Sequence, residues 1–252
     1  MRLELAERLR CPGVHAPTPL IVVAQETVAR DLRRAIVGCA VCGLEARLAA
    51  GVLTFPDGLV VAGVAGAEGA ARAGRPEPSV AGAAARAGDD AAAPAEVEET
   101  TAALERLVAL LHLDGPGGAV LLAGRYARFA AALEVSHEVH AVVLASARDA
   151  RDARHTREVP RRAEHLKMPA THDDARAIPF TDATFRAAAV EAMPPALLDD
   201  LARVVTTGGR IVASVGTELP AGTRVLARDD REWVAEREGV GGGVVVLKKA
   251  RS

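Results

Sequence analysis

The sequence is poor in aromatic residues and lysine, and it has little excess charge of either sign. Aromatic residues make up 2% of the 252 residues, lysine occurs only at positions 167, 248 and 249, and the net charge is −2. A chain this close to neutrality has no global attraction for polyanions. We therefore expect no strong nucleic-acid binding and no membrane binding.

Two further absences concern location. The first residues, MRLELAERLR, carry scattered charges and lack the apolar core of a secretory signal, and no uninterrupted apolar segment reaches membrane-spanning length. The chain has only three cysteines, which suits a reduced compartment better than a disulfide framework. These features predict a cytoplasmic protein.

What the chain does have is apolar content, 50% of its residues, enough to bury a substantial core. Its organisation changes twice: a compact unit at 1–58, an Ala/Gly/Pro-rich linker at 59–97, and a longer part at 98–252 where strands and helices alternate. Alternation of this kind predicts an α/β fold, a parallel sheet with helices on both faces. Predicted helices cover 3–9, 97–113, 125–134 and 195–205, and predicted strands cover 19–26, 119–123, 140–146, 165–169, 185–192, 210–216, 223–228 and 242–250.

The compact unit carries four residues with metal-binding chemistry. Cys11 and His15 form a CxxxH pair, and Cys39 and Cys42 form a CxxC pair followed by Gly43. Zn²⁺ prefers four nitrogen or sulfur donors in a tetrahedron, and two such pairs supply them. A unit this small lacks an adequate core, so the zinc would be structural. Taken singly, Cys11 could be a buried small hydrophobe and His15 a surface or capping residue.

The pattern LRCPxxH…TPL…IVGCAVCGLEARLAAGVLTF resembles a family of small zinc-ribbon proteins that partner and activate RNA and protein methyltransferases. It is also similar to the ribbons fused to the front of some rRNA methyltransferases. The resemblance covers about the first 55 residues, and it departs from the family in having His15 where a cysteine is usual and no aromatic residue near Ala46. It implies a small N-terminal zinc ribbon and a protein, or an RNA–protein assembly, as partner.

Residues 172–216 carry a second resemblance, to class I S-adenosylmethionine-dependent methyltransferases. The segment is similar to that family's GDAxxLPFxDxxFD and ARVLxPGGRLV strings, with matches at Asp174, Ala175, Ile178, Pro179, Phe180, Asp182, Phe185, Ala202, Arg203, Val204, Gly208, Gly209 and Arg210. The resemblance implies a Rossmann-like methyltransferase sheet. It also implies that Asp174 faces the adenine of the cofactor and that Gly208 and Gly209 form a turn before a strand.

The loop after the first parallel strand departs from that family. The family has an acidic residue followed by GxGxG, whereas aligning VLLAGRYAR on it leaves Gly124 as the first glycine and puts Tyr126 and Arg128 on the other two. Where the family grips the ribose with an acidic residue after the second strand, this chain has Ala145 and Ser146. Losing that contact costs about 1.5–3 kcal/mol out of the roughly 8 kcal/mol of micromolar binding. The remnants of the cofactor site are thus Gly124, Asp174 and Ala175, and we expect S-adenosylmethionine to bind weakly or not at all.

Three features leave alternatives open. The glycines of DGPGG, residues 114–118, could belong to the cofactor loop or only to the loop that feeds the first strand. Glu191 could be a general base or a residue of the turn after its strand. The segment 147–165 has six arginines, four acids and two histidines and could face RNA or form a solvated surface.

The sequence favours a non-enzymatic function. No catalytic residue is identified, and the predicted protein is a pseudo-methyltransferase that uses its zinc ribbon and sheet domain to bind another protein or RNA. The alternative is an active S-adenosylmethionine-dependent methyltransferase acting on RNA or a small molecule. Fold analogy alone does not separate the two, because one fold supports many functions.

Overall fold

The computed structural model describes residues 1–55, 60–63, 94–145, 177–191, 193 and 195–239. Asp174, Ala175, the segment 147–165 and the predicted strands at 165–169 and 242–250 lie outside these residues. The helices are α1 (Leu3–Ala6), α2 (Pro94–Leu111), α3 (Ala130–His137) and α4 (Pro195–Val204), with a 3₁₀ segment at Gly124–Phe129. The strands are β1 (Ile21–Val28), β2 (Asp31–Gly38), β3 (Glu45–Ala49), β4 (Val52–Thr54), β5 (Val60–Gly63), β6 (Ala119–Ala123), β7 (His140–Ala145), β8 (Phe185–Val190), β9 (Val205–Ser214), β10 (Thr223–Arg228) and β11 (Glu232–Arg237).

The strands of the described residues form one sheet in the order β1-β2-β3-β4-β5-β7-β6-β8-β9-β11-β10. The four central strands, β7, β6, β8 and β9, are parallel, and β11 and β10 follow as an antiparallel pair. On the other side, β1 to β5 are an antiparallel meander, and β5 pairs with β7. The antiparallel N-terminal strands therefore extend the same sheet beyond its parallel part.

The central strands are buried on both faces, as expected for parallel strands between two layers. On β6, Leu121 contributes to one apolar cluster and Leu122 to the other, because neighbouring side chains point to opposite faces. Helices α2 and α3 and the 3₁₀ segment contribute to the cluster of Leu122, and α4 contributes to the cluster of Leu121. This is the α/β, Rossmann-like architecture with helices on both faces that the sequence predicts.

Residues 1–55, which we call the N-terminal unit, pack on the same face as α4. Its apolar side chains, among them Leu9 and Phe55, share one buried cluster with Phe180, Phe185 and Leu201. Backbone hydrogen bonds join the two parts: Arg10 N–H donates to the Pro179 carbonyl at 3.2 Å, and Thr181 N–H donates to the Arg8 carbonyl at 2.8 Å. The unit is thus docked on the sheet by a shared core.

Several element bounds differ from the sequence predictions. Helix α1 ends at Ala6, not at position 9, and the predicted helix 125–134 is a 3₁₀ segment followed by α3. Strand β5 lies inside the predicted 59–97 linker, and α2 begins within that linker at Pro94. Strands β2, β3, β4 and β11 have no counterpart in the predicted list, and the partner of β10 is β11, not the run at 242–250. No helix in the described ranges is both long and apolar enough to cross a membrane.

Candidate functional site

The four predicted metal-binding residues come together in the N-terminal unit. Cys11 and His15 lie in the loop after α1, and Cys39 and Cys42 lie in the turn between β2 and β3. The turn is closed by Cys39 N–H donating to the Leu44 carbonyl at 2.8 Å. Gly43 has φ +71°, a left-handed conformation that glycine adopts without strain. The two loops therefore present their side chains to a common point.

The spacing of the donor atoms fits one tetrahedral ion. The four ligand atoms lie within 4.8 Å of one another. Cys11 Sγ is 3.6 Å from Cys42 Sγ and 3.2 Å from His15 Nε2, which is 3.4 Å from Cys39 Sγ. With zinc–sulfur and zinc–nitrogen bonds of about 2.3 and 2.0–2.1 Å, the edges of a tetrahedron are about 3.5–3.8 Å long. The cluster is compatible with a small zinc site.

The imidazole of His15 is oriented by its second nitrogen. His15 Nδ1 lies 2.7 Å from the Ala16 carbonyl oxygen, so it carries the proton and donates it there. This hydrogen bond raises the pKa of His15, with further contributions from the neighbouring thiols. It leaves Nε2, the atom that faces the three sulfurs, free as a ligand. A metal-bound histidine with its other N–H held by a carbonyl is common in zinc sites.

The thiols differ in acidity. Burial raises the pKa of Cys11 to about 12. Burial also acts to raise the pKa of Cys39, but N–H groups of Cys42 and Val41 and the neighbouring thiols outweigh it and bring that pKa to about 6. The metal-free cluster thus favours a thiolate at Cys39 and a thiol at Cys11, and a metal would have to displace the remaining protons.

A second candidate site lies where the order of the parallel strands reverses. The chain passes from β6 to β7 on one side and later to β8 on the other, so the reversal falls between β6 and β8. In open α/β sheets, ligands bind at the carboxyl ends of strands beside such a point. Gly124 follows β6 and Glu191 follows β8, so both residues lie at this position.

At this position the loop is in contact with a side chain of the protein itself. Arg125 N–H donates to Glu191 Oε2 at 2.8 Å. Gly124 has φ +62°, and a Cβ placed on it would lie 2.7 Å from Glu191 Cβ and 3.0 Å from Glu191 Oε2. Because Gly124 has no side chain, Glu191 can pack directly against the loop backbone. Glu191 follows β8 directly, and its carboxylate caps a loop amide.

The two side chains that the sequence placed in the loop point elsewhere. Tyr126 is 4% exposed, belongs to the apolar cluster beneath α2, and donates its hydroxyl to Glu232 Oε2 at 2.8 Å. Arg128 stacks on the ring of Phe129, with its guanidinium carbon 4.7 Å from the ring centre. The atoms nearest to Gly124 belong to Glu191 instead. The side chain that crowds this loop is therefore Glu191, and not Tyr126 or Arg128 as the alignment predicted.

The glycine-rich segment before β6 lies at the amino ends of the parallel strands, opposite the end where Gly124 and Glu191 lie. Arg186, at the start of β8, donates to the Gly115 carbonyl at 2.6 Å and to the Gly117 carbonyl at 3.0 Å. A Cβ on Gly118 would lie 2.9 Å from Arg186 Cδ. These glycines therefore form the loop that feeds the first parallel strand. Of the predicted cofactor remnants, the structure describes Gly124 alone.

Comparisons with known proteins give only distant similarity. No protein-family model matches the chain, and no curated protein matches it. Among solved structures, the antibiotic-resistance methyltransferase Kmr is similar with 17% identity and a TM-score of 0.34, over 54% of this chain and 93% of Kmr. The (4+2)-cyclase SpnF is similar with 17% identity and a TM-score of 0.33, over 52% of this chain and 59% of SpnF. Similarity at this level carries no argument about function, and the fold is defined here by its strand order.

Proposed function

We propose that the chain is a zinc ribbon joined to a degenerate methyltransferase-like domain, and that it acts as an interaction subunit for another protein or an RNA–protein assembly. The observation that carries the proposal is the contact between Glu191 and the Gly124–Arg125 loop. The Arg125 amide, which would bind the carboxylate of S-adenosylmethionine, already donates to the Glu191 carboxylate at 2.8 Å. S-adenosylmethionine would have to displace Glu191 from this amide, and its own carboxylate would then be repelled by the negative charge of Glu191 nearby.

Binding of the cofactor tests this reading directly. Titration calorimetry of the purified chain with S-adenosylmethionine should give no saturable heat below millimolar concentration. Glu191→Ala removes the internal carboxylate and should bind the cofactor more tightly than the parent. Glu26→Ala, an exposed residue of β1, is the matched control. Low-micromolar binding by the parent chain would overturn the pseudo-methyltransferase proposal and favour an active enzyme.

The metal is part of the same proposal. Four protein donors complete a tetrahedron and leave no position for water or substrate, which is typical of a structural zinc. We expect about one zinc per chain by elemental analysis. Cys39→Ser should lose the metal, whereas Ser136→Ala, a change on α3 away from the cluster, should retain it. A chain purified without metal that binds none on addition of Zn²⁺ would contradict the zinc assignment while leaving the cofactor test unaffected.

The N-terminal unit supplies support for a protein partner. Four exposed large apolar side chains lie in or beside its metal-binding loops: Val14 is 77% exposed, Val41 63%, Ile21 57% and Val23 56%. Such side chains favour a protein partner over RNA, for which neither aromatic stacking residues nor a basic surface is evident in the described part of this unit. Val135 on α3 is 86% exposed and serves as a reference surface.

Site-specific photo-crosslinking in cells tests the interaction. A crosslinker at position 41 should give a discrete protein adduct that a crosslinker at position 135 does not give. Ile21→Asp, combined with the crosslinker at position 41, should reduce the adduct. Equal adducts at positions 41 and 135, or none at 41, would contradict an interaction role for this surface.

A further inference from the structure

A cavity beside the second candidate site, with which it shares Arg125, lies between α2, the 3₁₀ segment and the start of β11. Its volume is about 190 Å³. Its apolar wall comes from one side of α2, with Ala103, Leu107 and Leu110. Four arginines, from three separate elements of the chain, also line it: Arg106, Arg125, Arg128 and Arg231. Among the described residues that line it, two are carboxylates, Glu99 and Glu232.

Each oxygen of the inner carboxylate already accepts a hydrogen bond. Glu232 is 8% exposed, and its Oε1 accepts from Arg106 Nε at 2.7 Å while its Oε2 accepts from the Tyr126 hydroxyl at 2.8 Å. Asp229 holds the other side of Arg106 at 2.7 Å. Backbone N–H groups of Glu232 and Arg231, together with Arg106, lower the pKa of Asp229 to about 2. Glu232 and Asp229 therefore hold Arg106 in place, and their oxygens are already engaged with it.

Two of the four arginines, in contrast, have no acidic partner among the described residues. Arg125 is not one of them: it lies over the ring of Tyr126, donates to that residue's hydroxyl at 3.0 Å, and pairs with Glu232 at 3.7 Å and with Glu191 at 3.9 Å. Arg128 lies over the ring of Phe129. Within the described residues, neither Arg128 nor Arg231 has a side-chain hydrogen bond or an ion pair with a carboxylate. Two charged groups, Arg128 and Arg231, thus line the cavity without a protein acceptor among the described residues.

We propose that this cavity binds a small organic anion, a carboxylate or phosphate monoester with a compact apolar body. The planar guanidinium matches carboxylate and phosphate oxygens with paired hydrogen bonds. The apolar side of α2 would cover the remainder of the ligand, the usual composition of a small-molecule pocket. Glu99 at the cavity disfavours highly charged ligands and so favours one anionic group. The inference goes beyond the proposed function and does not depend on it.

Binding of simple probes tests the site. Phenyl phosphate and benzoate carry the two candidate anionic groups on one apolar ring, and benzyl alcohol is their uncharged counterpart. Titration calorimetry of the full chain should show saturable binding of at least one of the two anions and none of the alcohol. The double variant R128Q/R231Q should weaken that binding about tenfold, and Ala103→Phe, which fills the apolar side, should weaken it as well. Arg47→Gln, an exposed arginine of the N-terminal unit, should leave it unchanged.

The result separates several outcomes. Equal affinity of the parent and R128Q/R231Q, equal binding of benzyl alcohol, or absence of saturable binding by both anions would overturn the proposal. A short single-stranded RNA that binds more tightly than either probe, and is weakened equally by Arg47→Gln and R128Q/R231Q, would overturn it in favour of diffuse electrostatic binding. Because the three arginine positions substituted are exposed, thermal unfolding should show R128Q/R231Q and Arg47→Gln as stable as the parent.

Discussion

Leu9 and Phe180 pair in an isolated antiparallel bridge, and both are almost completely buried, at 1% and 0% exposure. The two residues are far apart in the sequence, one in the N-terminal unit and one in the segment before β8. Phe180 also packs edge-on against Phe185, with ring centres 4.9 Å apart. This contact makes the docking of the N-terminal unit part of the main core.

Truncation of Phe180 should therefore affect both parts of the molecule. Phe180→Ala should lower the free energy of unfolding by about 3–5 kcal/mol, the usual cost of removing a buried phenyl ring. Urea denaturation followed by circular dichroism measures it. Val135→Ala, at an exposed position, should change it by less than about 0.5 kcal/mol. A loss near 1 kcal/mol for Phe180→Ala would show that the contact is peripheral.

Arg203 on α4 organises the same junction. It donates to the Phe180 carbonyl at 2.8 Å and the Ile178 carbonyl at 3.1 Å, and it pairs with Asp182 at 2.7 Å. A lysine keeps the charge but cannot form this fork. We expect Arg203→Lys to cost about 2 kcal/mol of unfolding free energy.

The control for Arg203→Lys is Arg224→Lys, which alters an exposed pair with Glu236 and should cost less than about 0.5 kcal/mol. Both variants are compared by chemical denaturation. Equal costs for the two substitutions would mean that the backbone carbonyl contacts of Arg203 contribute little.

Metal removal should lower the thermal stability reported by Trp233, which lies near the opposite edge of the sheet from the metal-binding loops. Trp233 is the only tryptophan of the chain, lies on β11 and is 2% exposed, with its indole N–H donating to the Thr217 carbonyl at 2.9 Å. Because the N-terminal unit shares its core with the sheet, a chelator should lower the midpoint of thermal unfolding reported by Trp233 fluorescence. Re-addition of Zn²⁺ should restore it. A tryptophan transition that chelation leaves unchanged would show that the metal stabilises residues 1–55 alone.

Glu134 should make stability depend on pH. Burial raises the pKa of this carboxyl to about 7, although its acceptance of the Ala141 N–H at 3.2 Å acts in the opposite direction. A raised carboxyl pKa favours the protonated form in the folded state. Its stabilising contribution is therefore complete below the ordinary value near 4.5 and is lost as the pH rises through about 7.

The variant Glu134→Gln keeps an acceptor for Ala141 and removes the titration. Relative to the parent, it should gain about 1–2 kcal/mol of stability between pH 5 and pH 8. Glu105→Gln, at an exposed position of α2, should follow the parent at every pH. Parallel pH profiles for Glu134→Gln and the parent would contradict the shift.

The elements that could be predicted from sequence are those set by local pattern. The central strands β6, β7 and β8 are continuous apolar runs and α4 has apolar residues at helical spacing, so the sequence predicts them near their observed bounds. Strand β9 begins at Val205 and not at the predicted position 210, and it includes Gly208 and Gly209, which the resemblance placed in a turn before the strand. The Cys/His cluster was found because its donors come in two close pairs with metal-ligand spacing. The structure brings these four residues together, as their spacing predicts.

What the sequence missed depends on long-range partners. Strand β11 reads as EWVAER, with an acidic residue at its start, and its Glu232 is buried only because Arg106 and Tyr126 reach it from elsewhere. Strand β5 is four residues long and lies in a region of low complexity, where its pairing with β7 is not encoded locally. The capping role of Glu191 follows from β6 and β8 being neighbours, which no local pattern predicts.

The pairing of β5 with β7 has a consequence for any fragment of this protein. In a chain lacking residues 1–63, β7 would end the sheet with open amide and carbonyl groups, and Phe180 and Phe185 would meet water. Such an edge beside bare apolar surface is a template for self-association. The boundary visible in composition is therefore a poor place to divide the polypeptide, and the part that holds the parallel strands should aggregate when produced without residues 1–63.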